Sequence, residues 1–551
     1  MRSMMSALAA TGALALAGCG APAVPGAALE SFSTDDLTAH IAVLASDSFA
    51  GRGPASVGED RTMAYLQAEF ERLGLEPGNG ASWYQEVPLV RIAARPDAEL
   101  SVRGQGAQAR FRYGDDFVAN SKHLDDAVGV ADAEIVFVGY GIVAPEYGWN
   151  DYAGLDVRGK TVMILVNDPG FATGDSTLFR GHTMTYYGRW TYKFEEASRQ
   201  GAAAAFVIHE TEPAAYGWDV VRNSWSGPQF SLAAADANES RVAVEGWVTL
   251  ETARAILRLG GQEYDSLKVR AARAGFAPVP LGVTAAVSLR QEVLRSSSRN
   301  FVARLPGTDH ADEHIIYMAH WDHFGTDPAR EGDQIFNGAE DNATGTAGLI
   351  EMAKAFTSLA APPSRSILFL AVTAEEQGLL GSAFYGEHPI VPLEKTVAAI
   401  NMDGMNVLGP MRDVIVIGLG MSELDDYMVE AAAEQGRVVR PDAEPEKGYY
   451  YRSDHFSLAK QGVPALDPGS GQDHVEHGVE WTQQREAEYR AERYHMPADE
   501  MLDSWDLRGL VQDLQLFFTV GYRLSMNREF PNWRQGSEFK ALRDAMMLGT
   551  E

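Results

Sequence analysis

Three short apolar runs in the second half of the chain each stop near a side chain that can hold a metal ion. Ile315-Ile316-Tyr317-Met318-Ala319 leads into His320. Ile367-Leu368-Phe369-Leu370-Ala371-Val372 leads towards Glu375-Glu376, and Val397-Ala398-Ala399-Ile400 towards Asp403. Runs this short and uniformly apolar predict buried strands. Helical spacing follows over 343–358, directly after Asp341, over 379–385 after the glutamate pair, and over 507–526 as a long amphipathic helix. This alternation, from about residue 283, predicts an α/β fold with a mostly parallel central sheet and helices on both faces. Ligands of such sheets gather outside the carboxyl ends of the strands, so residues far apart in sequence can meet at one edge.

The first half has a different texture. An amphipathic helix is predicted over 36–44, a turn at Gly51-Arg52-Gly53-Pro54, and a strong helix over 59–73 stopped by Gly74. Strand-like runs cover 134–141 and 161–166, a helix at 193–201 runs into a buried strand at 202–208, and another helix covers 249–259. Residues 125–275 carry no dense cluster of ligand-type side chains and read as an inserted mixed α/β domain. At 551 residues the chain exceeds one compact core. The expected division is a leader at 1–19, an Ala/Pro/Gly-rich tether at 20–33, the first part of the main domain at 34–124, the insert at 125–275, the catalytic segment at 276–530 and a tail at 531–551.

Charge narrows the partners. A net charge of -30 argues against nucleic acid and against electrostatic binding to an anionic membrane. Met1-Arg2 followed by Ala/Leu-rich sequence and Leu16-Ala17-Gly18-Cys19 has the form of an export signal, too short for a stable membrane-spanning helix. Its end resembles a bacterial lipobox, in which the cysteine becomes the lipidated first residue. Cys19 is the one cysteine in the chain, which excludes an intramolecular disulfide. Gly20 follows where Asp would signal inner-membrane retention. The expectation is an exported protein, lipid-anchored at the outer membrane and facing periplasm or cell surface, with membrane contact through the anchor alone.

A two-metal hydrolase needs a carboxylate that bridges two cations, terminal ligands for each, and a further carboxylate as base. Asp341 can bridge. His320 and Asp403 can complete one ion, Glu376 and His495 the other, and Glu375 is left as general base. Mixed imidazole and carboxylate ligation suits Zn²⁺, with Co²⁺ or Mn²⁺ as alternatives. Asp322, two residues after His320, is placed to orient its imidazole. His323 reads as structural or pocket-lining. Spacing alone allows His455 as the last ligand as well as His495. The polar stretch 468–493 reads as a solvated surface loop, with a lid or an extra metal site at Asp473-His474 and Glu476-His477 as the alternatives.

These residues sit in motifs: His320-Trp321-Asp322, Gly338-Ala339-Glu340-Asp341-Asn342-Ala343-Thr344-Gly345, Ala374-Glu375-Glu376-Gln377-Gly378, Asn401-Met402-Asp403, Arg452-Ser453-Asp454-His455 and Tyr494-His495-Met496-Pro497-Ala498-Asp499. The set resembles the M28 family of zinc peptidases, over residues from about 300 to 526. The insert resembles a protease-associated (PA) domain at Gly139-Tyr140-Gly141-Ile142-Val143-Ala144-Pro145. The resemblance implies two Zn²⁺ ions on His320, Asp341, Glu376, Asp403 and His495. It also implies Glu375 as base, Tyr494 as oxyanion donor, and Asp322, Arg452 and Asp454 beside the ligands or against substrate. It selects His495 over His455. The family often has Asp where this chain has Glu340.

The expected function is a di-zinc exopeptidase acting on peptides, an aminopeptidase in which a hydroxide formed at the metals attacks the scissile carbonyl and Glu375 carries the proton. The alternatives are a glutamate-carboxypeptidase-like enzyme, a glutaminyl-cyclase-like transferase, and a non-catalytic receptor or binding protein on the same fold. The last would have lost ligands or the base, and here every position is filled.

Overall fold

The computed structural model describes residues 23–97 and 99–549. The expected leader and its Cys19 lie outside the described residues. Among the described residues no helix is long and apolar enough to cross a membrane.

The three apolar runs form adjacent parallel strands. His310–His320 lies between Arg365–Val372 and Thr396–Asn401, with Ile315, Ile316 and Tyr317 in register with Ile367, Leu368 and Phe369. Ala465–Gly469 continues the parallel order beyond Thr396–Asn401. Antiparallel strands close the sheet at both sides: Asp413–Ile417 against Ala465–Gly469, and the end of Val279–Leu305 against Arg365–Val372. Successive side chains of His310–His320 go to opposite faces, the period-2 rule of a strand. Ile315, Tyr317 and Ala319 join a core with Leu349, Phe356, Leu514 and Phe518 of the helices Thr344–Thr357 and Arg508–Met526. Ile316 and Met318 join the other face with Tyr385, Leu458 and Val463. Burial on both faces explains why these strands read as unbroken apolar runs.

The insert has a mixed sheet of its own. Phe117–Asn120 is antiparallel to Val244–Thr249, followed in parallel by Ala204–His209, Thr161–Leu165 and the end of Ala127–Phe137. The 27-residue strand Val279–Leu305 then runs antiparallel to Ala127–Phe137 and, further on, to Tyr84–Pro96, which Gln229–Leu232 edges, so the sheet continues from the insert into the main domain.

Three expected boundaries shift. Residues 99–120, assigned from sequence to the main domain, pair with the insert: Glu99–Gly104 lies on Val279–Leu305 and Phe117–Asn120 on Val244–Thr249. The later part of the expected tether is packed: Gly26–Leu29 is a short helix, Ala28 and Phe32 are buried, and Phe32 meets Phe518 edge-on at 6.0 Å. The expected tail is packed too, with Trp533 and Arg543 buried and a helix at Lys540–Leu548. Each segment is short and weakly apolar by itself, and tertiary burial decides its state.

Arg52 ties the early elements to the catalytic edge. It is fully buried, and its guanidinium donates to the carbonyls of Leu44 (2.8 Å), Trp321 (2.9 Å), Asn337 (2.6 Å) and Gly338 (2.7 Å). Burial lowers its pKa to about 10, against the pull of Asp499, Asp322, Asp341 and Glu376. Arg52→Met is expected to destabilise the protein by roughly 3 kcal/mol or more, because four buried acceptors lose their donor together. Arg52→Lys should recover little, since one ammonium does not reproduce the fork. Denaturant unfolding of the two variants measures both.

Candidate metal centre

Each candidate side chain sits where a regular element ends. His320 is the last residue of His310–His320, and Asp403 follows Thr396–Asn401 by two residues. Glu375 and Glu376 follow Arg365–Val372, Asp341 lies in the turn Ala339–Ala343 before the helix Thr344–Thr357, and His495 follows the helix Gly478–Glu492.

Asp341 stands between two pairs. Its Oδ1 lies 3.2 Å from His320 Nε2, which is itself 3.2 Å from Asp403 Oδ1. Its Oδ2 lies 3.3 Å from His495 Nε2, which is 3.2 Å from Glu376 Oε2. Donors around one tetrahedral ion with bonds of about 2.0–2.1 Å stand roughly 3.3–3.4 Å apart, so both halves fit the spacing of a zinc shell. His320, Asp341 and Asp403 gather tightly enough to hold one cation, as do His323, Asp341 and Glu376.

His323 is closer to this centre than its sequence reading conveys. It is fully buried, and its Nδ1 lies 2.5 Å from Glu376 Oε1, so Glu376 meets His323 through one oxygen and His495 through the other. Burial pushes the His323 pKa down to about 3, which keeps the ring neutral. The His-x-x-His spacing is the signal in the sequence, and the strand end at His320 obscures it. His455 is elsewhere: buried, 3.5 Å from Asp467 Oδ2 and packed against the Tyr450 ring. Residues 478–492 of the expected loop form a helix, polar on nearly all sides, which weakened its signal. His474 and His477 stack on each other, and both meet the Trp481 ring at a tilt.

Supporting contacts hold the centre. Asp499 accepts from the amides of Glu340 and Asp341, each at 3.1 Å. Asn342 donates to Met402 O, Thr346 to His320 O, and Ser453 to Asp403 Oδ2 at 2.6 Å. Gly338 has φ of +54°, and a Cβ there would collide with the Asp341 carbonyl and the His323 ring. Asp322 does not orient His320 through its carboxylate: His320 Nδ1 meets the Asp322 backbone carbonyl at 3.0 Å, while the carboxylate accepts from Glu375 N at 3.1 Å. Tyr494 stacks on the His495 ring at 3.7 Å. Arg452 is exposed, and Asp454 is buried next to Ser453.

Burial raises the Glu375 carboxyl well above the usual range, with Asp403, Asp454 and Asp341 adding to it. Burial raises Glu376 likewise, with Asp341 and Glu375 behind it. Asp454 is pushed to about 7 and Asp322 to about 6, burial leading in both. Carboxyls gathered this closely are relieved by protons or by cations.

Residues 300–518 match peptidase family M28. Aminopeptidase NAALADL1 of Mus musculus is 33% identical over 137 residues, which cover 23% of this chain and 17% of that protein. The glutamate carboxypeptidase 2 homolog of Caenorhabditis elegans is 27% identical over 203 residues, 35% of this chain and 24% of that one. The chain thus spans less than a quarter of the length of these curated relatives. A solved aminopeptidase from Aneurinibacillus sp. strain AM-1 superposes with a TM-score of 0.48 at 19% identity, covering 91% of this chain and 96% of that one.

Asp499→Ala is expected to lower stability by about 1–3 kcal/mol for each of the two orphaned amides, and Asp499→Asn by less, since it keeps one acceptor. Denaturant unfolding of both variants tests this.

Proposed function

We propose that this chain, whose residues 300–518 match peptidase family M28, is a di-zinc exopeptidase, an aminopeptidase that releases N-terminal residues from peptides. The observation that carries the reading is Asp341, with one oxygen towards His320 and Asp403 and the other towards His495 and Glu376. His320 and Asp403 would hold one ion, Glu376 and His495 the other, and Asp341 both. When bound, the ions would acidify a water and polarise the scissile carbonyl.

Glu375 takes the proton from the attacking water and delivers it to the leaving amine nitrogen. Asp322 fixes the start of that segment by accepting the Glu375 amide. Tyr494, stacked on His495, supplies a phenol O–H to the charge developing on the carbonyl oxygen. Burial, with Asp341 and Glu376 nearby, raises the Tyr494 pKa, so the phenol keeps the proton it must donate. The pocket's excess of carboxylate favours a substrate with a protonated amino terminus. A carboxypeptidase reading draws on one observation, Arg189 of the insert lining one cavity with Arg452.

Purified protein is expected to hydrolyse amino-acid p-nitroanilides and to lose this activity with a chelator. Cleavage of N-blocked peptides but not free-amine ones would contradict the aminopeptidase reading. Glu375→Gln should retain its zinc and lose roughly 10²–10⁴-fold in kcat. Unchanged turnover would remove Glu375 from the role of base.

A further inference from the structure

The two halves of the metal centre are not held alike. His320 ends the strand His310–His320 and Asp403 follows Thr396–Asn401, so the sheet fixes both. His495 stands on a turn instead. It follows the helix Gly478–Glu492, whose side chains are exposed or half-buried apart from Thr482. A helix with so little packing does not place its neighbours by itself. His495 has φ of +57°, in the left-handed region that a residue with a Cβ adopts against its own sterics. Its side chain is 36% exposed, against 1% for His320. Another group has to hold this turn.

Arg493 reaches forward across it. Its Nε donates to the Ala498 carbonyl at 3.1 Å, and its Nη2 donates to the Glu500 carbonyl and, at 3.5 Å, to Asp499 Oδ1. The guanidinium lies 5.6 Å from the centre of the Tyr489 ring and 5.8 Å from that of Trp505. Residues 494–499 are thereby closed into a loop whose two ends meet on one cation. Inside the loop Met496 N donates to Arg493 O, and Asp499 N to Met496 O.

The same loop is joined to the bridging ligand. The Asp499 carboxylate accepts from the amides of Glu340 and Asp341, and its carbonyl accepts from Ala339 N at 2.9 Å. Tyr489 Oη donates to that carboxylate at 3.3 Å. One path from Arg493 therefore leads along the loop to His495, and another through Asp499 to Asp341; the two donors at its ends stand 3.3 Å apart. The rings of Tyr494 and Phe324 lie against the His495 imidazole, at 3.7 and 4.8 Å. Ring contacts orient the imidazole and leave the backbone that carries it free to shift. A planar fork of N–H donors on three successive residues removes that freedom.

We propose that Arg493 is a positioning residue of the metal centre. By closing the turn that carries His495, and by tying it through Asp499 to the Asp341 turn, it sets how tightly the ion assigned to Glu376 and His495 is held. The ion assigned to His320 and Asp403, whose ligands stand at strand ends, does not depend on it. This inference rests on the two-ion reading.

The test is zinc affinity. Zinc is titrated into the metal-stripped full chain in competition with a chromophoric chelator, for wild type, Arg493→Gln, Arg493→Lys and His495→Ala. Arg493→Gln should weaken one of two zinc equivalents about 10–100-fold, the usual effect of losing a group that orients a metal ligand, and leave the other near its wild-type value. Arg493→Lys should fall between, since an ammonium keeps the charge and loses the fork. It carries the test should the glutamine variant fail to fold. Adding Arg493→Gln to His495→Ala should change nothing further, because both act on the same ion. Equal weakening of both equivalents, or of neither, would overturn the proposal, as would a further loss in the double variant. A single equivalent in the wild type would contradict the two-ion reading. Arg493 is then judged on that equivalent, where weakening by Arg493→Gln upholds its role and an unchanged affinity overturns it.

Discussion

Like charge packed into a small, dry volume is the constraint around which this molecule is arranged. Asp403, Asp454 and Asp341 act on Glu375, Asp341, Glu375 and Asp322 on Glu376, and Asp341 on Asp499, all near the carboxyl edge of the central sheet. Such a set is tolerable if positive charge and oriented N–H donors answer it. Arg52 supplies a buried guanidinium from the N-terminal segment, and backbone amides of the 339–341 turn point at Asp499. The spacings on either side of Asp341 leave room for the remaining charge to be met by cations.

The edge could be read from sequence because its strands are buried on both faces. A strand with no solvent-facing side chains is an unbroken apolar run, and the residues where the run stops are the residues at the edge. His320, Glu375, Glu376 and Asp403 follow from that rule, and Asp341 from its place before a helix. Residues in loops did not follow from it. His495 has positive φ after a polar helix, and nothing in its local sequence separates it from His455. For His323, spacing along a strand end says little about where the side chain turns. Arg52 reads as part of a turn, and its role comes from carbonyls up to 286 positions away in sequence.

Domain limits depend on long-range partners in the same way. A boundary is a statement about pairing, and Glu99–Gly104 finds its partner strand at Thr284–Ala286, far along the chain. The strand Val279–Leu305 belongs to both sheets, so the insert and the catalytic segment are joined by a continuous strand. Tyr450, Tyr451 and Phe456 of the catalytic segment share a core with Tyr186 and Tyr192 of the insert. That shared core positions Arg189 next to Arg452, a juxtaposition that residues 263 positions apart do not announce in sequence.

The central claim is that Asp341 serves two ions at once. Elemental analysis of metal per chain, for wild type and for Asp341→Asn, tests it most directly. The account predicts two equivalents in the wild type and the loss of both in the variant. One equivalent in the wild type, or a variant that keeps one ion at full occupancy, would contradict it.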